Sequence, residues 1–175
     1  MFNFENLDEK TRAFMLEAIV EAERSGNIYY SKRFNDEGRN QWLGLLKQAT
    51  KDHNEHWLAY ELQANWLMKD FENAAKPLGG YTIKHVPHTR AETMAEGQFN
   101  RFYILGLCKR AKAEGISHLQ VYRAKQRSDP RPESEALVGT QISIADIEAQ
   151  LRDIQASFKS QLTQANSGIS LRIPR

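Results

Sequence analysis

The chain has 175 residues, 41% hydrophobic and 26% charged, with a formal net charge of +2. That is the composition of an ordinary folded domain, and it excludes a disordered, collagen-like or strongly basic nucleic-acid-coating chain. A single cysteine, Cys108, excludes an internal disulfide, and no apolar run approaches the roughly 20 residues of a membrane-spanning helix.

The opening MFNFENLDEK has neither the basic stretch nor the apolar run of a secretory signal, so a reducing cytoplasm, or a particle assembled there, is expected. Phe2 and Phe4 alternate with polar residues and make an apolar N-terminal arm over residues 1–6, which docks either on its own domain or, as the sharper alternative, on a neighbouring chain. Asn6 or Asp8 caps a first helix through Arg24, with Asp8 and Glu9 at its positive end and Gly26 closing it. Met15, Leu16, Ile19, Val20 and Ala22 form its buried side. Residues 27–31 predict a short strand and RFNDEG a turn. Apolar spacing then predicts a helix from about Arg39 to Lys51 around Trp42, Leu43, Leu45, Leu46 and Ala49. A further helix from about Asn54 to Lys69 carries Trp57, Leu58, Leu62, Trp66 and Leu67, and the two form a helical hairpin. Residues 70–80 end in Pro-Leu-Gly-Gly and predict a flexible loop, followed by a strand over Tyr81–Val86.

The stretch from Thr89 to Lys125 organises the rest. Thr89 and Glu92 have the spacing of a capping box, and Gly115 supplies a left-handed end. Apolar residues from Phe99 to Cys108 crowd most of the circumference, so this helix is expected at the centre of the core. Gly97 and Gly106 point in opposite directions on a straight helix and predict separate close contacts. His118–Lys125 alternates as a half-buried strand does. RSDPRPES, with two prolines, predicts an exposed loop, and Leu137–Ile142 a further strand. Ser143 and Asp146 cap a last helix to about Lys159, with Ile144, Ile147, Leu151, Ile154 and Phe158 on one face. From Gln161 the chain is polar until Ile169, Leu171 and Ile173 alternate in a strand-like tail. The fold class is therefore α+β: one helix-rich domain over residues 1–160, with about five helices and a small sheet. Residues 161–175 are expected as an extended C-terminal arm.

Candidate chemistry is sparse. His53 with His56, and His85 with His88, have a spacing that could share a metal, but not that of a zinc protease. They read as surface histidines, and neither a metal nor another cofactor is expected. Cys108, inside an apolar run, reads as a buried thiol rather than a nucleophile. There is no Gly-rich phosphate loop, no serine elbow and no cysteine cluster, so the expectation is not an enzyme. Between Arg101 and Arg131 eight basic residues face two acidic ones, whereas residues 1–80 hold ten basic against thirteen acidic. The alternative function is a cytoplasmic nucleic-acid-binding or host-modulating protein that uses this basic segment; with nucleic acid as the partner, Arg101, Arg123, Lys125, Arg127 and Arg131, interleaved with Tyr103 and Tyr122, would contact its phosphates. Salt bridges and a solvated rim are the plainer reading of the same residues.

The segments EGQFNRFYILGLCKRA, VYRAK, PRPESEALVG and NSGISLRIP resemble a family of small proteins encoded in the structural gene clusters of tailed phages and prophages. The resemblance covers chiefly residues 96–139 and the tail. It implies a virion or assembly protein, decorating the head or sitting at the head–tail junction, made in the host cytoplasm and located in the particle. Its partners would be capsid or portal/connector subunits, or further copies of the chain, with no membrane involved. Phe2, Phe4, Ile169, Leu171 and Ile173 are the expected partner-binding residues, the tail by adding a strand to a neighbour's sheet.

Overall fold

The structure is a computed structural model that describes residues 1–126, 128–164 and 167–174. Among these residues the chain forms seven helices and two small antiparallel sheets, one of two strands and one of three, an α+β single domain.

The first three helices start where side chains can satisfy orphan amides. Helix α1 (Glu9–Arg24) is capped by Asp8, which accepts from the Thr11 N–H at 2.9 Å. Helix α2 (Asp36–Asp52) is capped by Asn35, accepting from Gly38 N–H at 2.7 Å, and α3 (Glu55–Ala64) by Asn54, accepting from Trp57 N–H at 2.9 Å. Helix α3 ends well short of the expected Lys69. Trp66 takes a left-handed φ of 54°, which turns Leu67 and Met68 back into the core and sets Met68 beside Phe34 in an isolated bridge. The expected strand over residues 27–31 is irregular, although Ile28 is buried.

Helix α4 (Arg90–Ala113) is the core helix, with Phe99, Phe102, Tyr103, Ile104, Leu107 and Cys108 wholly buried. α1 and α3 pack against it. At the α1 crossing a Cβ on Gly106 would lie 2.6 Å from Met15 Cγ and 2.9 Å from its backbone nitrogen, so only glycine permits this approach. The expected capping box does not form. Thr89 makes no side-chain cap, and Glu92 instead meets Lys125 at 2.9 Å.

Past Gly115, which has the expected positive φ of 73°, β3 (His118–Arg123) runs between two antiparallel neighbours. They are β4 (Gln141–Ser143), with Leu119 opposite Ile142, and β5 (Ile169–Arg172), with Val121 opposite Leu171. Pro132 opens a short helix, α5 (Pro132–Leu137), inside the expected loop. Ser143 caps α6 (Ile144–Leu151) as expected, but the last helix breaks there. Asp153 caps a separate turn, α7 (Ile154–Ser157), after Arg101 has claimed the carbonyls of Leu151 and Arg152.

Both terminal arms dock on the chain's own domain, one of the two expectations for the N-terminal arm and a correction for the tail. The tail is not extended outward: β5 is a strand of the chain's own sheet, with Ile169, Ser170 and Leu171 wholly buried. Asn100 on α4 fixes it, donating to the Ile169 carbonyl at 3.2 Å and accepting from the Ser170 hydroxyl at 2.6 Å. The expected boundary at residue 160 therefore separates nothing. At the other end Phe4 packs on Phe99 and Tyr103, with ring centroids 5.3 and 4.6 Å away. The Asn3 N–H reaches the Ala124 carbonyl at 2.8 Å. The two ends also clasp each other, through Arg172–Glu5 at 2.8 Å and the Ile173 N–H on Asn6 Oδ1 at 2.9 Å. Docking there buries apolar surface of α4 and β3 together with that of the tails, and this burial outweighs the ordering of short tails.

Candidate protein-docking face

The expected loop over residues 70–80 contains a strand. β1 (Phe71–Ala75) pairs with β2 (Tyr81–His85) in a two-stranded hairpin, Asn73 opposite Ile83 and Ala75 opposite Tyr81. Pro-Leu-Gly-Gly is its turn: the Gly79 N–H donates to the Lys76 carbonyl at 3.1 Å, and Gly79 and Gly80 hold φ of 90° and 80° that glycine alone takes without strain.

Side chains alternate across a ribbon, so the register sorts them onto two faces. One carries Glu72, Thr82 and Lys84, and Glu72 ties it to the body through a two-pronged ion pair with Arg33, both bonds 2.8 Å. Arg33 holds the Glu72 carboxyl below the usual carboxylate range. The other face carries Phe71, Asn73, Ala75, Tyr81, Ile83 and His85. Phe71 is 52% exposed, Ile83 72% and Tyr81 74%, and Leu78 at the turn is fully exposed. The ribbon is inverted: its apolar side looks to solvent while its charged side is anchored. A hairpin of two strands with one bare apolar face is marginal by itself, and a contiguous patch of this kind marks an interaction surface. A groove of about 360 Å³ runs along its base, lined by Lys32, Lys69, Phe71, Glu72, Asn73 and Ile83.

The residues expected to bind partners do not gather here. Phe2, Phe4, Ile169, Leu171 and Ile173 meet instead beside α4 and β3, where they form part of the domain's own core or its edge. Two tyrosine hydroxyls hold the N-terminal segment there: Tyr103 accepts from the Asn6 N–H, and Tyr122 donates to the Asn3 carbonyl at 2.6 Å. Burial raises the pKa of both tyrosines.

The basic segment is likewise occupied from within. Arg101 is wholly buried and donates to the carbonyls of Leu151, Asn27 and Arg152 at 2.9–3.0 Å. Burial pushes its guanidinium down to about 10, so it is a staple between α4, α6 and the segment after α1 rather than a phosphate contact. Arg123 pairs with Glu135 and the Ser167 carbonyl, Lys125 with Glu92 and Glu96, and Arg131 donates to Gln164 at 2.7 Å. Arg127 lies outside the described residues. Local charge balance was invisible in the linear sequence because the acids come from another turn of the fold. These placements correct the nucleic-acid reading: four of its five residues are engaged inside the domain.

Among the described residues no three His, Cys, Asp or Glu side chains gather as a metal site would require. His53 stacks on Trp57 with ring centroids 4.2 Å apart, and His85 packs against Phe71 at 4.4 Å. Cys108 is wholly buried, and burial pushes its thiol up to about 12, an inert state. No helix among the described residues is long and apolar enough to cross a membrane.

The docking face had one readable signal. Tyr81–Val86 reads as a strand, every strand needs a partner, and Pro-Leu-Gly-Gly before it is a hairpin turn that points to the polar segment just upstream. No family model matches the chain, and no curated protein and no solved structure is significantly similar to it.

Proposed function

We propose that this chain acts by binding another protein, as a virion structural or assembly subunit, and that it docks through the β1–β2 hairpin rather than through its ends. The outward apolar face of Phe71, Tyr81 and Ile83 carries the reading, because a domain with a well-filled core elsewhere has no internal use for it. The resemblance to phage structural gene products supports the setting, with a capsid or portal/connector subunit as the partner.

The test is incorporation. Particles purified from cells supplying either the wild-type chain or an Ile83→Lys variant are compared by quantitative mass spectrometry, with the melting curve of each chain as a fold control. The wild-type chain is expected at a fixed ratio to the major capsid protein, and Ile83→Lys at one tenth of that or less. Absence of the wild-type chain from particles, or equal incorporation of a folded Ile83→Lys chain, overturns the reading.

A further inference from the structure

Resting on the docking role just proposed, we infer how the partner binds: an extended segment, alternating apolar and acidic residues, adds as a third strand to the outer edge of β1. Backbone hydrogen bonding gives the first argument. The Val86 N–H donates to the Asp70 carbonyl at 2.9 Å and the Lys76 N–H to the Gly80 carbonyl at 3.0 Å. In an antiparallel ladder this phase turns the even-numbered residues of β1 toward β2 and the N–H and C=O groups of Phe71, Asn73 and Ala75 outward. Among the described residues none of those three residues makes a backbone bond on that side. A sheet edge of this kind is a template for a further strand.

An antiparallel pairing also begins just upstream of this edge. Phe34 bridges Met68, and the Lys69 N–H donates to the Arg33 carbonyl at 2.8 Å, so the segment before α2 pairs antiparallel with the approach to β1. That pairing stops at Arg33. The groove of about 360 Å³ is lined by Lys32 and Lys69 from the two sides of that pairing and by the start of β1, with a bend at Asp70 between the pairing and β1.

Charge and apolar surface identify the occupant. Among the described residues Glu72 is the one acidic side chain lining the groove, and Arg33 has claimed both its oxygens. Lys32 and Lys69 form no ion pair among the described residues, unlike Arg33 and Arg90, which hold Glu72 and Asp70; the Lys69 ammonium donates to the Lys32 carbonyl at 3.1 Å, which keeps the two cations together at the groove. On the face that carries Phe71, Asn73 and Ala75, the side chains of the added strand lie beside Phe71 and extend its apolar row, and valine, isoleucine or phenylalanine fits. Near the lysines, glutamate or aspartate fits. The alternation of a strand delivers both at once. Among the described residues the β2 edge is also unpaired, but neither the Phe34–Met68 pairing nor the two lysines lie beside it.

The probe is an acetylated, amidated heptapeptide of alternating valine and glutamate, titrated into the ¹⁵N-labelled full chain, with a valine–lysine peptide as its counterpart. The amides of Phe71, Asn73 and Ala75 are expected to shift and to exchange with solvent at least about tenfold more slowly, with the lysine peptide binding about tenfold more weakly. Asn73→Pro removes the middle outward N–H while sparing the ladder to β2, and is expected to abolish binding. Should that variant unfold, the Lys32→Glu, Lys69→Glu double variant serves instead, by reversing the preference between the peptides. Protection at Tyr81, Ile83 and His85 in place of β1, or equal affinity for both peptides, overturns the inference. So does a dimer of the wild-type chain that dissociates in Asn73→Pro, since the occupant would then be a second copy. If Ile83→Lys abolishes particle incorporation while no β1 amide responds to either peptide, the docking face stands and the strand addition falls. Normal incorporation of Ile83→Lys sinks the docking face itself.

Discussion

Replacing Leu171 with alanine separates a tail that belongs to the domain from one that reaches for a partner. The side chain is wholly buried, opposite Val121 in the β3–β5 ladder and within the main core. Truncation to alanine removes three buried carbons, about 2.4 kcal/mol of transfer free energy at ~0.8 kcal/mol each. The void left between sheet and α4 adds to this, so roughly 3–4 kcal/mol is expected, inside the range of 2–5 kcal/mol for such changes. For a domain of this size that corresponds to about 6–15 °C in Tm. With a urea m-value near 2 kcal/mol/M it lowers the midpoint by roughly 1.5–2 M. Far-UV circular dichroism on urea and thermal ramps measures both, and Leu78→Ala at the fully exposed hairpin turn is the control, expected within about 0.5 kcal/mol of wild type. An unchanged midpoint for Leu171→Ala would refute the placement of β5 in the core and restore the tail as a free arm.

Two further predictions use local geometry. On α2, a Cβ at Gly38 would stand 2.0 Å from the Leu67 carbonyl oxygen, whereas at Gly44 nothing lies within 4 Å. Gly38→Ala should therefore destabilise by about 1–3 kcal/mol or more and Gly44→Ala stabilise by up to about 1 kcal/mol; melts that move in the same direction contradict the packing. At the start of α1 the Asp8 carboxyl is slightly desolvated, which raises its pKa, but the Thr11 N–H and the Arg110 guanidinium at 2.7 Å bring it below the usual value. A depressed carboxylate contributes stability that is fully present above its unfolded pKa and is lost as the pH falls through the folded one. Asp8→Asn keeps a good cap and removes the charge. Its deficit, at most about 1 kcal/mol near neutral pH because Asp8 is half exposed, should shrink steadily below about pH 4. A deficit that holds constant down to pH 2 rules out the charge as its source.

The parts legible in the sequence are those whose causes are local. Asp8 before α1, Ser143 before α6, and the crowding of apolar residues from Phe99 to Cys108 each act within a turn or two, and each took the expected form. Thr89 and Glu92 show the limit of that rule: the spacing of a capping box is present, but Lys125, far along the chain, takes the glutamate. The basic run from Arg101 to Arg131 fails for a similar reason. Linear charge counting cannot see that Glu92, Glu96 and Glu135 fold back onto it, or that a guanidinium can be buried against three carbonyls. Helix α3 ends early because one residue, Trp66, adopts a backbone conformation that nothing in its neighbours announces.

The tail and the hairpin pose one question with opposite outcomes. Ile169-Ser-Leu-Arg and Tyr81-Thr-Ile-Lys share one alternating pattern, so periodicity cannot say which is buried; what decides is whether the chain still has an uncovered apolar surface to offer. Beside β3 and α4 it does, and β5 fills it. For β2 the strand neighbour among the described residues is β1, whose Phe71 lies on the same face, so pairing the two enlarges the apolar surface instead of covering it. Three side chains left half to three-quarters exposed hold back about 3–6 kcal/mol of burial free energy. Micromolar binding needs about 8 kcal/mol net of the cost of association, so this patch serves as the centre of an interface and cannot be the whole of it. The rest must come from other groups at the same place, and the outward amides of β1, with the charges of Lys32 and Lys69, are the ones within reach.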